Sequence, residues 1–418
     1  MHQVREQIAS PLRTGKSFPM AFDPLSDVVS SQYEKWVYPD PIMDLPGWMA
    51  NNWQWFDPKI SHRLFWPDRE YVNDLDILIA GCGTNQAAVF AYANPDAKVV
   101  AIDISQSSLD HHHYLKNTFN LKNLELHRLP IENLGSQNQS FDLIVSSGVL
   151  HHLADPLVGL QSLAGSLRPE GVIGIMLYAT FGRLGVTMLQ TVFRELGLAR
   201  DEPSIEIVRE ALANLPAGHP VAPYLEIAPD LQYDAGLVDT FLHGRNRTYT
   251  VNECLELTAD AGLIFQDWLL KSPYYAPLNG NRFNSSIAAL TARQQWSAME
   301  RINSRNGCHF FTVCHTDRPT SSYVIDFAAD DFTRFVPSFR HSCRLIGDQL
   351  SRHDWTLGLD AAQLSFVELV NGQRTIDDII SIASDNGSFP REPRERLLQM
   401  SRDVFQSLWQ LDFFAMGI

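Results

Sequence analysis

Residues Asp76–Ile104 read DILIAGCGTNQAAVFAYANPDAKVVAIDI, and this stretch decides the fold. Asp76–Ala80 is a short apolar run of the buried-strand kind. It ends in Gly81-Cys82-Gly83, and a helical stretch follows from about Gln86 to Tyr92. Lys98–Ile104 (KVVAIDI) is a second strand. Glycines let a backbone turn tightly and approach a ligand, and the N-terminus of the next helix offers unpaired N–H groups. Asp103 stands twenty residues after Gly83, where a carboxylate can accept hydrogen bonds from both hydroxyls of a ribose. Turn and acid together point to a cofactor containing adenosine. A nicotinamide dinucleotide requires a third glycine opening the helix, and Gln86 stands in its place, which weighs against a dehydrogenase.

Outward from this unit the alternation continues. Leu124–His127 and Phe141–Ser146 read as the third and fourth strands. A helix around Pro156–Leu167 leads through Arg168-Pro169-Glu170-Gly171 to a fifth strand, Val172–Tyr178. Residues 180–235 are mostly helical. The alternation resumes with Thr250 as N-cap of VNECLELTADAG, then a sixth strand, Ile264–Leu270, and a seventh, His309–His315. Strands alternating with helices predict a parallel sheet with crossover connections. Upstream, five tryptophans (36, 48, 53, 55 and 66) are broken into short pieces by prolines 39, 41, 46, 58 and 67. Such a segment packs its rings on the next domain, roofs a ligand, or does both. Downstream, Thr316–Ser322 is linker-like, and the remainder reads as helices Ala361–Val370, Thr375–Ala383 and Glu395–Phe414. In the last of these, Leu397, Val404, Leu408 and Leu411 share a face. The expected organisation is an aromatic cap over 1–70, a domain over 71–318 with a helical insertion at 180–235, and a small helical domain over 323–418.

The 418 residues are 45% hydrophobic and 19% charged, the balance of a globular chain. The formal net charge is −15 and no lysine follows Lys271, which argues against nucleic acid as a partner. Five scattered cysteines (82, 254, 308, 314 and 343) suit a reducing compartment. The opening MHQVREQIASPLRTGKSFPM has no signal-peptide run, and no stretch is long and apolar enough to span a bilayer. The expectation is a cytoplasmic protein with no membrane partner.

Four motifs in order (IAGCGTNQAA, VVAIDISQSSL, FDLIVSSGVLHHLADP and LRPEGVIGIMLYA) resemble those of class I S-adenosylmethionine-dependent methyltransferases. Gln32-Tyr33-Glu34 and Tyr38-Pro39 make the chain similar to a group of bacterial members that begin with a QYE…YP segment. The resemblance covers roughly residues 30–317. It implies an α/β, Rossmann-like sheet of seven strands, the last antiparallel beside the sixth, with the insertion after strand five. It also implies S-adenosylmethionine as cofactor, its methionine part cradled by Ala80, Gly81, Cys82, Gly83 and Gln86. Asp103 and Ile104 then hold the ribose, and Ile131 and Glu132 flank the adenine, with Ser147 and Gly148 completing the floor. Tyr33 and Tyr38 are expected above, since aromatic faces suit a sulfonium. Three positions depart from the family pattern: Ile79 replaces an acid, Asn85 replaces the last glycine of the turn, and the polar residue often found after the third strand falls near Pro130.

For the reaction itself, His151 and Tyr178 are the catalytic candidates, because both lie at carboxyl ends of strands. Arg183, His243, Arg245 and Arg247 could grip an anionic part of an acceptor. No metal is expected. Consecutive histidines 111–113 point about 100° apart on a helix and read as a solvated face, and Cys308 and Cys314 lie roughly 20 Å apart on a strand. The expected function is methyl transfer to an N, O or S nucleophile of a small molecule, peptide or protein. The rivals are a non-catalytic cofactor-binding protein and an enzyme using the same cofactor for cyclisation. LSFVELVNGQRTIDDII (364–380) resembles small winged-helix-like peptide-binding domains of the PqqD type, so a peptide, a protein or a second copy of the chain in a homodimer is the expected partner there.

Overall fold

In the first strand, Ile77–Ala80 are all buried, as a strand covered on both faces requires. A computed structural model describes residues 23–418 apart from 138, 277–280 and 390–391. The opening residues on which the signal-peptide reading falls lie outside the described residues. The central strands are β1 (Asp76–Ala80), β2 (Lys98–Asp103), β3 (Leu124–Arg128), β4 (Phe141–Ser147), β5 (Leu167–Tyr178), β6 (Leu263–Trp268) and β7 (Cys308–His315). They form one sheet in the order β3-β2-β1-β4-β5-β7-β6. Strand β7 runs antiparallel to both β5 and β6, and the other pairings are parallel. Chain order reverses between β1 and β4, so a crevice opens at their carboxyl ends. Ile77 and Ile79 pack on one face with Phe90 and Leu115, while Leu78 and Ala80 pack on the other with Ile144 and Leu160.

Two boundaries of this sheet domain differ from expectation, and one cap agrees with it. Strand β5 starts at Leu167, because Arg168-Pro169-Glu170-Gly171 stays within the ladder and a register shift between Phe141 and Leu143 absorbs it. The helical insertion runs on to Phe241, ending in Asp234–Phe241, which packs on Val186, Leu189 and Phe193. Thr250 forms a capping box with Glu253, as its place before the helix predicts.

The aromatic segment divides its rings between two neighbours. Phe56, Phe65 and Trp66 are buried in the core on one face of the sheet. Trp53 instead lies 5.1 Å from His341 and 5.6 Å from His353, both in the C-terminal part.

That C-terminal part has its own core around Phe366, Ile379, Phe405 and Phe414, and it is not mostly helical. Strands β8 (Val336–Phe339), β9 (Arg344–Ile346), β10 (Gln349–Arg352), β11 (Trp355–Gly358) and β12 (Phe414–Gly417) accompany its helices. The order β11-β10-β9 makes one small antiparallel sheet, and β12 pairs with β8. The last helix therefore stops at Gln410 rather than Phe414. Asp412, at φ 65°, reverses the chain there, and Phe414–Gly417 follow as a fully buried strand. The Asp412 carboxylate also ties the two parts together. It accepts the backbone N–H of Lys271 (2.9 Å) and of Ser272 (2.8 Å), and it pairs with the Arg340 guanidinium.

Candidate active site

Gly81 at φ 80° and Gly83 at φ 52° form the turn after β1. A Cβ on Gly83 would lie 3.0 Å from both Tyr38 O and Pro39 Cδ, so only glycine lets the strap at 38–42 cross this closely. The strap is held there by the residues after the turn. Thr84 Oγ1 donates to Pro39 O (2.6 Å), Asn85 Nδ2 donates to Asp40 O (2.8 Å), and Asn85 Oδ1 accepts Ile42 N–H (2.9 Å). The departure from glycine at Asn85 thus has a reason: its amide ties the strap down.

All three residues of Gln32-Tyr33-Glu34 are engaged. Gln32 Oε1 accepts Gly244 N–H at 3.1 Å. Tyr33 Oη donates to Asp239 Oδ1 at 2.7 Å. Glu34 caps the helix Gln106–Thr118, accepting Gln106 N–H at 2.6 Å and Ser107 N–H at 3.2 Å. Burial alone would raise the Glu34 pKa, but these donors and Arg128 outweigh it and hold the carboxyl below its usual range.

Asp103 sits where the sequence places it. Its Oδ2 accepts Gly83 N–H and its Oδ1 accepts Ser105 N–H, both at 2.9 Å. Burial outweighs those bonds and pushes its pKa up to about 6. One expectation nearby is corrected. His112 is not on a solvated face but fully buried, and burial lowers its pKa to about 4; His113 is the exposed member of the run.

Beside the turn lies a cavity of about 810 Å³, within the range of pockets that enclose small ligands. Its floor is Gly81–Gly83, Asp103, Ile104, Ile131, Glu132, Ser147 and Gly148, with Gln86 at the side and Tyr33 and Tyr38 above. Of the residues expected around the cofactor, Ala80 alone is not on the wall and stays within the buried strand.

The far half of the cavity carries the polar chemistry, and much of it has no local signal in the sequence. Tyr178 lines it and donates to Asp239 Oδ2 (3.1 Å), so one carboxylate receives two phenols. Tyr38 donates to Asp230 Oδ2 (2.9 Å). Burial, then the Asp239 charge, raises the pKa of Tyr33, Tyr38 and Tyr178, so all three stay protonated. His151 does not reach the cavity. It stacks behind Tyr178 at 3.9 Å, both its ring nitrogens lack a hydrogen-bond partner, and burial holds it neutral. Its neighbour His152 takes the place on the wall. Arg183 is also behind the wall, with its guanidinium 3.6 Å over the Tyr178 ring. His243 contacts Tyr33 at 3.3 Å, Arg247 is on an outer turn beside Glu253, and Arg245 lines the cavity, paired with Asp27 at 2.7 Å.

His152, Asp239 and His243 bring ligand atoms within 4.8 Å of one another, yet they are poorly arranged for a metal. The two imidazoles stack at 3.8 Å with 19° between planes, so their nitrogens lie side by side rather than converging. His243 Nδ1 accepts Arg245 N–H (2.9 Å), which leaves the ring proton on Nε2. The cluster is a hydrogen-bonded one.

Comparison with known proteins bears on the fold that carries this cavity. Residues 78–173 match the family described as a methyltransferase domain. An uncharacterised protein of Synechococcus sp. is 30% identical over 253 residues, 58% of this chain and 60% of its own length. A malonyl-[acyl-carrier protein] O-methyltransferase of Acetivibrio thermocellus is 30% identical over 141 residues, 32% of this chain and 47% of that protein. The chain thus spans 60% or less of these curated relatives. The structure of PKMT2 from Rickettsia typhi superposes with a TM-score of 0.63 at 15% identity, covering 91% of this chain and 77% of that one, which shows a shared fold. PKMT2 has also been solved in complex with AdoHcy.

Proposed function

We propose that the chain is a class I S-adenosylmethionine-dependent methyltransferase and that it moves the cofactor's methyl group to a nucleophile held in the far half of the cavity. The observation that carries this reading is one continuous cavity running from the Gly81–Gly83 turn and Asp103 to the Tyr33–Asp239–Tyr178 cluster. The donor set fits the cofactor. Gly81 and Gly83 leave backbone room, and the Asp103 oxygens, each with one N–H already bound, keep lone pairs for two hydroxyls. When bound, the cofactor supplies an electrophilic methyl on a sulfonium.

The protein's own contribution is placement. Such a transfer needs a dry site and reacting atoms about 3–3.5 Å apart in line. Tyr33, Tyr38, Pro39 and Trp48 wall the cavity, and the strap that carries Tyr38 is tied to the glycine turn by Thr84 and Asn85. The segment 30–66 acts as a lid whose order increases with cofactor. Calorimetry with S-adenosylmethionine, followed by recovery of S-adenosylhomocysteine after incubation with cell extract, tests the reading. Binding without S-adenosylhomocysteine from any fraction would overturn methyl transfer and leave the non-catalytic and the non-methylating alternatives.

A further inference from the structure

Building on the methyl-transfer reading, we propose that the acceptor atom is the nitrogen of an amine, received by Asp239 and Asp230 among the tyrosines at the far end of the cavity. The first argument is a proton inventory. A phenol has one proton to donate. Those of Tyr33 and Tyr178 are both given to Asp239, and that of Tyr38 to Asp230. His152 Nδ1 donates to Arg245 O at 2.9 Å, and burial keeps this ring neutral, so its other nitrogen is a lone pair. What these side chains have left to offer a ligand is acceptor lone pairs. A carboxylate brings no proton to such a wall, and an alcohol, phenol or thiol brings one. An amine or ammonium brings two or three.

Charge gives the same answer. Seven carboxylate side chains line the cavity against one guanidinium, Arg245, which is already paired with Asp27. An anionic acceptor would enter a field of its own sign with no donor fork to receive it. A cation is welcome there, and the aromatic faces of Tyr33 and Tyr38 add attraction for it. The step balances as follows. The bound ammonium loses one proton to solvent, and Asp239 and Asp230 accept hydrogen bonds from the N–H groups that remain. The nitrogen lone pair forms the new N–C bond, the sulfonium C–S bond breaks with its pair on sulfur, and the product leaves as a methylated ammonium beside a thioether.

The test uses the full-length enzyme with methyl-13C S-adenosylmethionine and the small-molecule and protein fractions of a bacterial extract, and NMR locates the labelled carbon. A methyl on nitrogen is the expected result. A methyl on oxygen, sulfur or carbon overturns the amine proposal while leaving methyl transfer intact. Calorimetric binding of the cofactor with no label in any fraction overturns methyl transfer, and the amine proposal with it. On the acceptor so identified, Asp239→Asn should raise KM about thirtyfold or more, with cofactor affinity within about twofold of wild type. If that variant does not fold, Asp230→Asn, which still accepts from Tyr38, serves in its place. An unchanged KM would overturn the role given to the carboxylates.

Discussion

Replacing Asn85 by alanine tests whether the strap is latched to the cofactor turn by this one amide. The side chain is 8% exposed and makes two bonds across the gap, to Asp40 O at 2.8 Å and from Ile42 N–H at 2.9 Å. Each is worth about 0.5–1.5 kcal/mol, and leaving the Ile42 N–H without a partner adds about 1–3 kcal/mol. The latch should therefore weaken by about 2–6 kcal/mol, a rise in strap opening of roughly thirty- to twenty-thousandfold. Asn85 is the N-cap of the helix Gln86–Ala93 but makes no side-chain capping bond there, so the helix and the sheet should be little changed. Hydrogen exchange read on peptides covering 36–44 gives the opening directly, with β2 as internal control. Exchange should accelerate by that factor in the strap and stay constant in β2. Cofactor affinity should fall only in proportion to the closed fraction that is lost. Unchanged exchange in the strap would show that Thr84 and the rings hold it without Asn85, and the latch argument would fail.

Three further outcomes are expected. Asp103→Ala should weaken S-adenosylmethionine binding by about 2–4 kcal/mol, roughly thirty- to a thousandfold by calorimetry, since the charged acceptor proposed for two cofactor hydroxyls is removed. In the wild type that affinity should be full above pH 6 and decline by up to tenfold per unit below it. Asp103 titrates at about 6, and its protonated form no longer accepts two hydroxyls; a flat profile between pH 5 and 7 would contradict this. Asp412→Ala should destabilise the chain by about 3–5 kcal/mol in denaturant titration, because Arg340, 8% exposed, loses its buried partner.

The part of this molecule that sequence describes well is the part made by neighbours in the chain. Strands β1, β2 and β4 are largely apolar runs of five to seven residues beside a turn or helix signal, and burial on both faces of the sheet produces those runs, whereas the edge strand β3, LELHR, is mostly half-buried. The capping box at Thr250 is similarly local. The C-terminal strands are harder, because β9, β10 and β11 are three to four residues long and alternate polar with half-buried positions. Phe413–Met416 continues the apolar character of the helix before it, so only the reversal at Asp412 marks the change from helix to strand. Burial of His112 was hidden by the two histidines beside it, since a triple run carries no period of its own.

The far half of the cavity was less legible for a different reason. Tyr33, His152, Tyr178 and Asp239 come from four segments separated by up to 206 residues, and no spacing rule relates them. Asp239 carries one faint signal: it is a lone acid in the middle of a helix, DAGLVDTF, in which Gly236 through Phe241 are all buried. A carboxylate buried among apolar neighbours must be met by donors brought from elsewhere. Here those donors are two tyrosines, one from the N-terminal segment and one from the end of β5. The same contact that satisfies the acid therefore closes the N-terminal segment over the sheet. Removing the Tyr33 side chain should for that reason disturb alignment more than affinity. Tyr33→Ala should lower turnover at saturating cofactor by more than Asp103→Ala does, and the reverse order would separate the lid from the chemistry.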